Sequence, residues 1–298
     1  MAAELLLAAI ILMLCIIANK FSGRFGMPAL ILFIGIGMLF GSDGIVKIPF
    51  DNFQVTESIC TIALGFIMFY GGFNTKWKAA KPVAVKSLLE IESGSNDPTA
   101  YMLTVVGISL VNGQNLSSIP YAIFAQVIYG IAIGVALAYL GIFVLTKTRL
   151  VLNGLDTVFI LALLLLGLGL SSLVGGNGFL CIYLLGILLG NSRINNKKDI
   201  IPFFDGITGL SQILIFFLLG LLAFPHKLPQ IMGTAVLIGL FLLFIARPVT
   251  IFLLLKPFKC SVNQCLLVSW AGLRGASSIV FSIIAMHRAM TFQGICFI

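Results

Sequence analysis

Leu88-Leu89-Glu90-Ile91-Glu92-Ser93-Gly94-Ser95-Asn96-Asp97-Pro98 sets three acids inside an otherwise apolar run. Lys86 stands just before it, and after Asp97 no charged residue follows until Lys147. A run from 87 to 111 with that character is long enough to cross a hydrocarbon layer, which takes about 20 residues. The rest of the 298 residues match it: 60% are hydrophobic and 9% charged, against about 45–50% and about 25% in soluble domains. A cytosolic enzyme is excluded, because a water-facing surface needs more charge.

Gly, Pro and charged clusters divide the apolar sequence into about ten spans, near 2–19, 28–41, 53–72, 87–111, 119–145, 156–174, 178–190, 207–224, 230–255 and 264–286. The fold class is all-α, a polytopic membrane helix bundle. An eleventh candidate opens at Thr291 and stops at Ile298. The start, Met1-Ala2-Ala3-Glu4, has no basic n-region, so the first run reads as a span rather than a signal peptide.

The net charge of +8 is explained by topology, since no basic stretch carries the polar readers of a nucleic-acid module. Thirteen of the eighteen Lys and Arg fall in odd-numbered loops: Lys20 and Arg24; Lys76, Lys78, Lys81 and Lys86; Lys147 and Arg149; Arg193, Lys197 and Lys198; Lys256 and Lys259. Even loops hold Lys47, Lys227 and Arg288, while Arg247 and Arg274 lie within spans. Positive loops stay inside, so the N-terminus is expected outside, with basic loops facing the anionic inner leaflet of the bilayer.

Cys15, Cys60, Cys181, Cys260, Cys265 and Cys296 have neither CxxC spacing nor neighbouring histidines and read as small apolar packers. Gly35, Gly37 and Gly41, and Gly186 and Gly190, suit close helix packing. Pro248 is expected to kink span nine, and Arg247 either snorkels to the inner surface or serves function.

Asp97 lies eleven residues past Lys86, hence about 16 Å deep, near the middle of a layer about 30 Å thick. Arg274 lies ten residues past Gln264, at about 15 Å. A charge at that depth calls for a partner, a wet cavity or a proton. Ser93 and Asp97 share a helix face, with Glu92 about 140° away, so Glu92 could neutralise Arg274 and leave Asp97 free with Ser93 and Asn96. Pro98 removes the donor that would satisfy the Gly94 carbonyl. Carboxylate, hydroxyl, amide and carbonyl oxygens are hard donors, suited to an alkali cation or a proton. The bland alternative pairs all three acids with Arg247 and Arg274 to hold the bundle. A membrane enzyme fares worse: His226 and His287 lie at span ends, and Asp97 is the single deep aspartate.

Glu92-Ser93-Gly94-Ser95-Asn96-Asp97-Pro98 and Trp270-Ala271-Gly272-Leu273-Arg274-Gly275-Ala276 together resemble the monovalent cation:proton antiporter family, in its bacterial potassium/proton branch. Phe204-Asp205-Gly206 and Ala246-Arg247-Pro248 extend the likeness through most of the chain. The resemblance implies a thirteen-span, inverted-repeat fold that forms homodimers in the bacterial inner membrane and uses no cofactor. It implies that Asp97 binds potassium or sodium and a proton in turn, that Asn96 and Ser93 support the site, and that Glu92 pairs with Arg274. The Asn-Asp order resembles electroneutral one-for-one exchangers, and the resemblance implies alternating access by movement of a core domain against a dimerisation scaffold. The chain also departs from the pattern. Two spans, one carrying a Thr-Asp pair, are missing near residues 85–86, the last span is cut off after Ile298, and Ser277-Ser278 stands in place of Val-Pro. The expectation is therefore an incomplete antiporter domain over 1–298, with an inactive member that inserts without transporting as the alternative.

Overall fold

In a hydrocarbon layer each backbone amide must be bonded within its own segment or to a neighbour, and the described residues meet this with helices. The computed structural model describes residues 2–25, 27–50, 52–76, 85–113, 115–147, 155–194, 196–258, 260–271 and 275–292. Among them run α1 (Ala2–Phe25), α2 (Ala29–Phe40), α3 (Phe53–Asn74), α4 (Val85–Val111), α5 (Ile119–Lys147), α6 (Asp156–Leu173), α7 (Gly178–Asn191), α8 (Lys197–Leu222), α9 (Leu228–Phe241), α10 (Arg247–Leu255), α11 (Val262–Ala271) and α12 (Ala276–Phe292), and no strand occurs. The first seven expected spans each correspond to one helix.

The remaining spans differ in instructive ways. Span eight opens at Lys197 rather than near 207: Lys197, Lys198 and Asp199 form a polar first turn, with Asp199 favourably placed near the helix N-terminus, and the helix runs on through Pro202. Span nine passes from α9 into α10 through a π-helical segment, Leu242–Ala246, directly before Arg247-Pro248. The wider turn absorbs the carbonyl that Pro248 leaves without a donor. Span ten is two helices, α11 and α12, with Gly275 outside both. Thr291 belongs to α12 rather than to a new span.

The chain forms two compact units. One comprises Met1–Asp51, Lys81–Ser93 and Phe216–Gly275. In it, α2 packs on the end of α8: a Cβ on Gly37 would lie 2.3 Å from the Phe217 carbonyl oxygen, and a Cβ on Gly220 would lie 2.2 Å from that of Ile34. Phe40 meets Phe217 edge-on with centroids 6.2 Å apart, and His226 Nδ1 contacts the Asp43 carboxylate. Leu237 and Leu253 are 68% and 74% exposed, an apolar surface suited to lipid.

The second unit comprises Asn52–Ala80, Gly94–Ile215 and Ala276–Ile298, and its centre is α7, packed on α3, α5 and α6. Ile182, Leu185 and Leu189 of α7 are fully buried with Phe69, Ile160, Leu164 and Phe204. The helices approach backbone to backbone. A Cβ would lie 2.4 Å from the Phe69 carbonyl oxygen at Gly186, 2.0 Å from that of Phe73 at Gly190, and 2.6 Å from that of Cys181 at Gly134. Close packing was expected of Gly186, Gly190, Gly37 and Gly41 and is what they do; Gly35 differs, with nothing within 4 Å of its Cβ position. Glu57 of α3 clasps the end of α12, with His287 Nδ1 at 2.5 Å and Arg288 Nε at 3.5 Å. Cys15, Cys60, Cys181 and Cys265 are buried free thiols, as apolar packers should be.

Gly186→Ala should force α3 and α7 apart and cost about 1–3 kcal/mol, read as a lower melting temperature and poorer monodispersity in detergent. Gly35→Ala should match the parent or gain up to about 1 kcal/mol. Equal melting temperatures for the two variants would contradict the packing.

Candidate functional site

Helix α4 carries Asp97 and stays helical through Pro98. Proline has no N–H, so the Gly94 carbonyl lacks its helical donor. Asp97 itself is half-buried while Pro98 is buried. The Ser277 hydroxyl, in the first turn of α12, donates to Asp97 Oδ1 at 2.7 Å. Ser277 is 5% exposed.

A third helix fixes the same point. Val174 closes α6, and Gly175 reverses the chain at φ +74, a conformation that a side chain disfavours. Two residues on, Asn177 caps α7: its Oδ1 accepts from the Leu180 N–H at 3.1 Å. Its Nδ2 donates to the Pro98 carbonyl at 2.8 Å, and its own N–H donates to the Gln126 carbonyl at 3.0 Å. This side chain, 2% exposed, thereby ties α4 to α7 beside Asp97. One turn beyond Asp97 and Ser277, Tyr101 and Phe281 close on Phe179, with ring centroids 4.9 Å (Tyr101–Phe179), 5.7 Å (Tyr101–Phe281) and 5.8 Å (Phe179–Phe281) apart. The polar junction thus abuts an aromatic one.

Of the expected site residues, Asp97 is placed at this three-helix junction. Asn96 is exposed on α4. Glu92 and Ser93 lie on the helical backbone of α4, but their side chains, like the whole of Arg274, fall outside the described residues, as do residues 77–84 bordering the expected junction near 85–86. Arg247 shows a contact that neither snorkelling nor acid pairing anticipates. Its Nε donates to the Ser269 carbonyl at 2.9 Å and its Nη2 to that of Val268 at 3.3 Å. Both carbonyls lie in the last described turn of α11, at the end of the helix that carries partial negative charge.

The sequence reading missed Ser277 and Asn177 as site residues. Asn177 has a legible signal, a Gly-Gly-Asn-Gly break between two apolar runs, which is a cap signature. Ser277 shows only as a departure from the familiar motif.

Among the described residues the chain is an all-helical, multi-pass membrane bundle with one acid held where three helices meet. Residues 82–291 match the family described as "Sodium/hydrogen exchanger, transmembrane", and the chain belongs to that family. It is 30% identical to the K(+)/H(+) antiporter NhaP of Alkalimonas amylolytica, over 94% of this chain and 60% of the relative. It is 29% identical to the K(+)/H(+) antiporter NhaP2 of Shewanella baltica (strain OS223), over 96% of this chain and 61% of that one. The chain therefore spans about three-fifths of the length of these curated relatives. Its fold matches the sodium proton antiporter MjNhaP1 from Methanocaldococcus jannaschii with a TM-score of 0.82 at 19% identity, covering 98% of this chain and 90% of that one.

Asn177→Ala removes both the cap and the amide donor and should cost about 2 kcal/mol. Asn177→Ser keeps a cap but does not reach Pro98, and should recover about 1 kcal/mol of that loss. Thermal unfolding in detergent checks this ordering, and Ser no better than Ala would remove the cap from the account.

Proposed function

We propose that this chain exchanges a monovalent cation, potassium or sodium, for protons across the bacterial inner membrane by alternating access, with Asp97 binding cation and proton in turn. It acts as a transporter, not an enzyme. The observation that carries this is the Asp97 carboxylate itself, half-buried on an apolar helix with the Ser277 hydroxyl against one oxygen. One carboxylate holds a proton or a cation but not both, so occupancy by one requires release of the other, and two gradients are coupled at a single site. The names borne by the relatives, K(+)/H(+) antiporter, and by the structural neighbour, sodium proton antiporter, support the same exchange.

Asn96 and Ser93 supply further oxygens beside Asp97, and Glu92 pairs with Arg274 to neutralise a second buried charge. The N-terminus faces outward, in keeping with the Lys and Arg excess of the odd loops. The homodimer implied by the resemblance belongs to the full-length members of the family.

A second reading has its own support: the chain is an internally shortened member that inserts without transporting. The alignment to the Alkalimonas relative extends over 343 positions, more than the 298 residues of this chain, as a loss of two spans near residues 85–86 would produce.

In vesicles with an imposed pH gradient, adding potassium or sodium should collapse the gradient, and Asp97→Ala should reduce that response to the protein-free rate. An unchanged response in Asp97→Ala would displace the ion site; no response in the parent chain would favour the shortened, inactive reading. For the paired charges, Glu92→Arg and Arg274→Glu should each lower the folded yield, and the double exchange should restore part of it. Strictly additive losses would argue against the pair.

A further inference from the structure

We infer that Ser277 is a direct ligand of the transported cation, an oxygen supplied from α12 opposite Asp97 of α4, and that it sets how strongly the site holds cation. This rests on the exchange proposed above and adds a ligand that the acidic motif of α4 does not contain.

The placement of the hydroxyl argues for a site rather than for packing. Other hydroxyls nearby in the chain satisfy themselves within their own helix: Ser269 donates to the Cys265 carbonyl and Ser282 to that of Ser278, each at 2.8 Å. Ser277 sits in the first turn of α12, where no carbonyl of the same helix lies four residues back, so its hydroxyl reaches across to another helix. It is nearly fully buried, and its 2.7 Å contact is normal for a hydroxyl on a charged oxygen.

A hydroxyl offers one hydrogen and two lone pairs, and each state of the carboxylate uses a different part of it. To the bare carboxylate Ser277 donates its hydrogen, as seen, while the N-terminal end of α12 adds partial positive charge. To a protonated Asp97 it can accept the carboxyl hydrogen. When an alkali cation takes the place of the proton, the hydroxyl hydrogen turns away and a lone pair faces the ion, giving it a hard oxygen ligand from a second helix. Ligands on two helices also let the spacing of α4 and α12, rather than the side chain of one residue, determine which cation fits.

The test uses the full 298-residue chain and two readouts. Thallium(I) and rubidium binding to purified protein reports the site directly, and cation-driven collapse of a pH gradient in vesicles reports exchange. Ser277→Ala should weaken rubidium binding about tenfold, as loss of one contact to a charged group implies, and should raise the half-saturating potassium concentration with the maximal rate kept. Ser277→Thr, which keeps the oxygen, should bind close to the parent. Ser277→Cys, which replaces a hard donor with a soft one, should lose rubidium affinity while retaining thallium affinity. Parent-like rubidium binding in Ser277→Ala, or equal weakening in the Ala, Thr and Cys variants for both ions, would overturn the assignment. Binding that depends on Ser277 without any exchange by the parent would leave the ligand standing and overturn the exchange reading instead.

Discussion

A carboxylate inside an apolar helix bundle is never left alone: at each moment it needs a proton, a cation or a strong donor, because hydrocarbon supplies none of them. The arrangement around Asp97 follows from that requirement. Ser277 brings a hydrogen to one oxygen, and Asn177 grips the carbonyl of the next residue, Pro98. Each contact comes from a different helix, so the acid that endangers the stability of α4 also becomes the point where α4, α7 and α12 are registered. Chemistry and assembly share the same few atoms.

The packing that supports this point is built on an opposite rule. Where α7 meets α3 and α5, side chains are removed rather than added, and Gly186, Gly190 and Gly134 let carbonyls and helix backbones touch. In lipid, apolar side chains gain little by leaving one oily surface for another, so close van der Waals contact carries helix association. The aromatic trio of Tyr101, Phe179 and Phe281 fills the adjoining space with bulk. Glycine contacts on one side and rings on the other hold the polar junction without asking it to supply the binding energy.

How much of this is legible in sequence depends on the length scale of the signal. Spans are read from runs of twenty residues, and the helices from α1 to α7 follow those runs. The run around 264–286 is divided between α11 and α12 with Gly275 in neither, and an apolar average over the run does not register so short an interruption. The polar opening of α8 was read as loop for the same reason in reverse, since Lys197, Lys198 and Asp199 lower the average while remaining helical. Asp97 is visible because a charge in an apolar run is a local contradiction. Asn177 and Ser277 are common neutral residues whose meaning lies in what they face across 79 and 180 residues of chain. Arg247 shows the same limit: its presence is readable, but its partners, the Ser269 and Val268 carbonyls of α11, lie 22 and 21 residues away and are backbone atoms that no side-chain pattern marks.

The shortness of α7 does not thin the insulating layer. Its 14 residues make a rod about 21 Å long, against a hydrocarbon layer about 30 Å thick. The longer helices packed around it, α3 and α5, keep the low-dielectric layer at full thickness, and the membrane voltage falls across that layer. Moving one elementary charge through the full drop is worth about 2.3 kcal/mol per 100 mV. An ion exchanged at Asp97, as proposed, would do work against that voltage in proportion to the share of the drop it crosses.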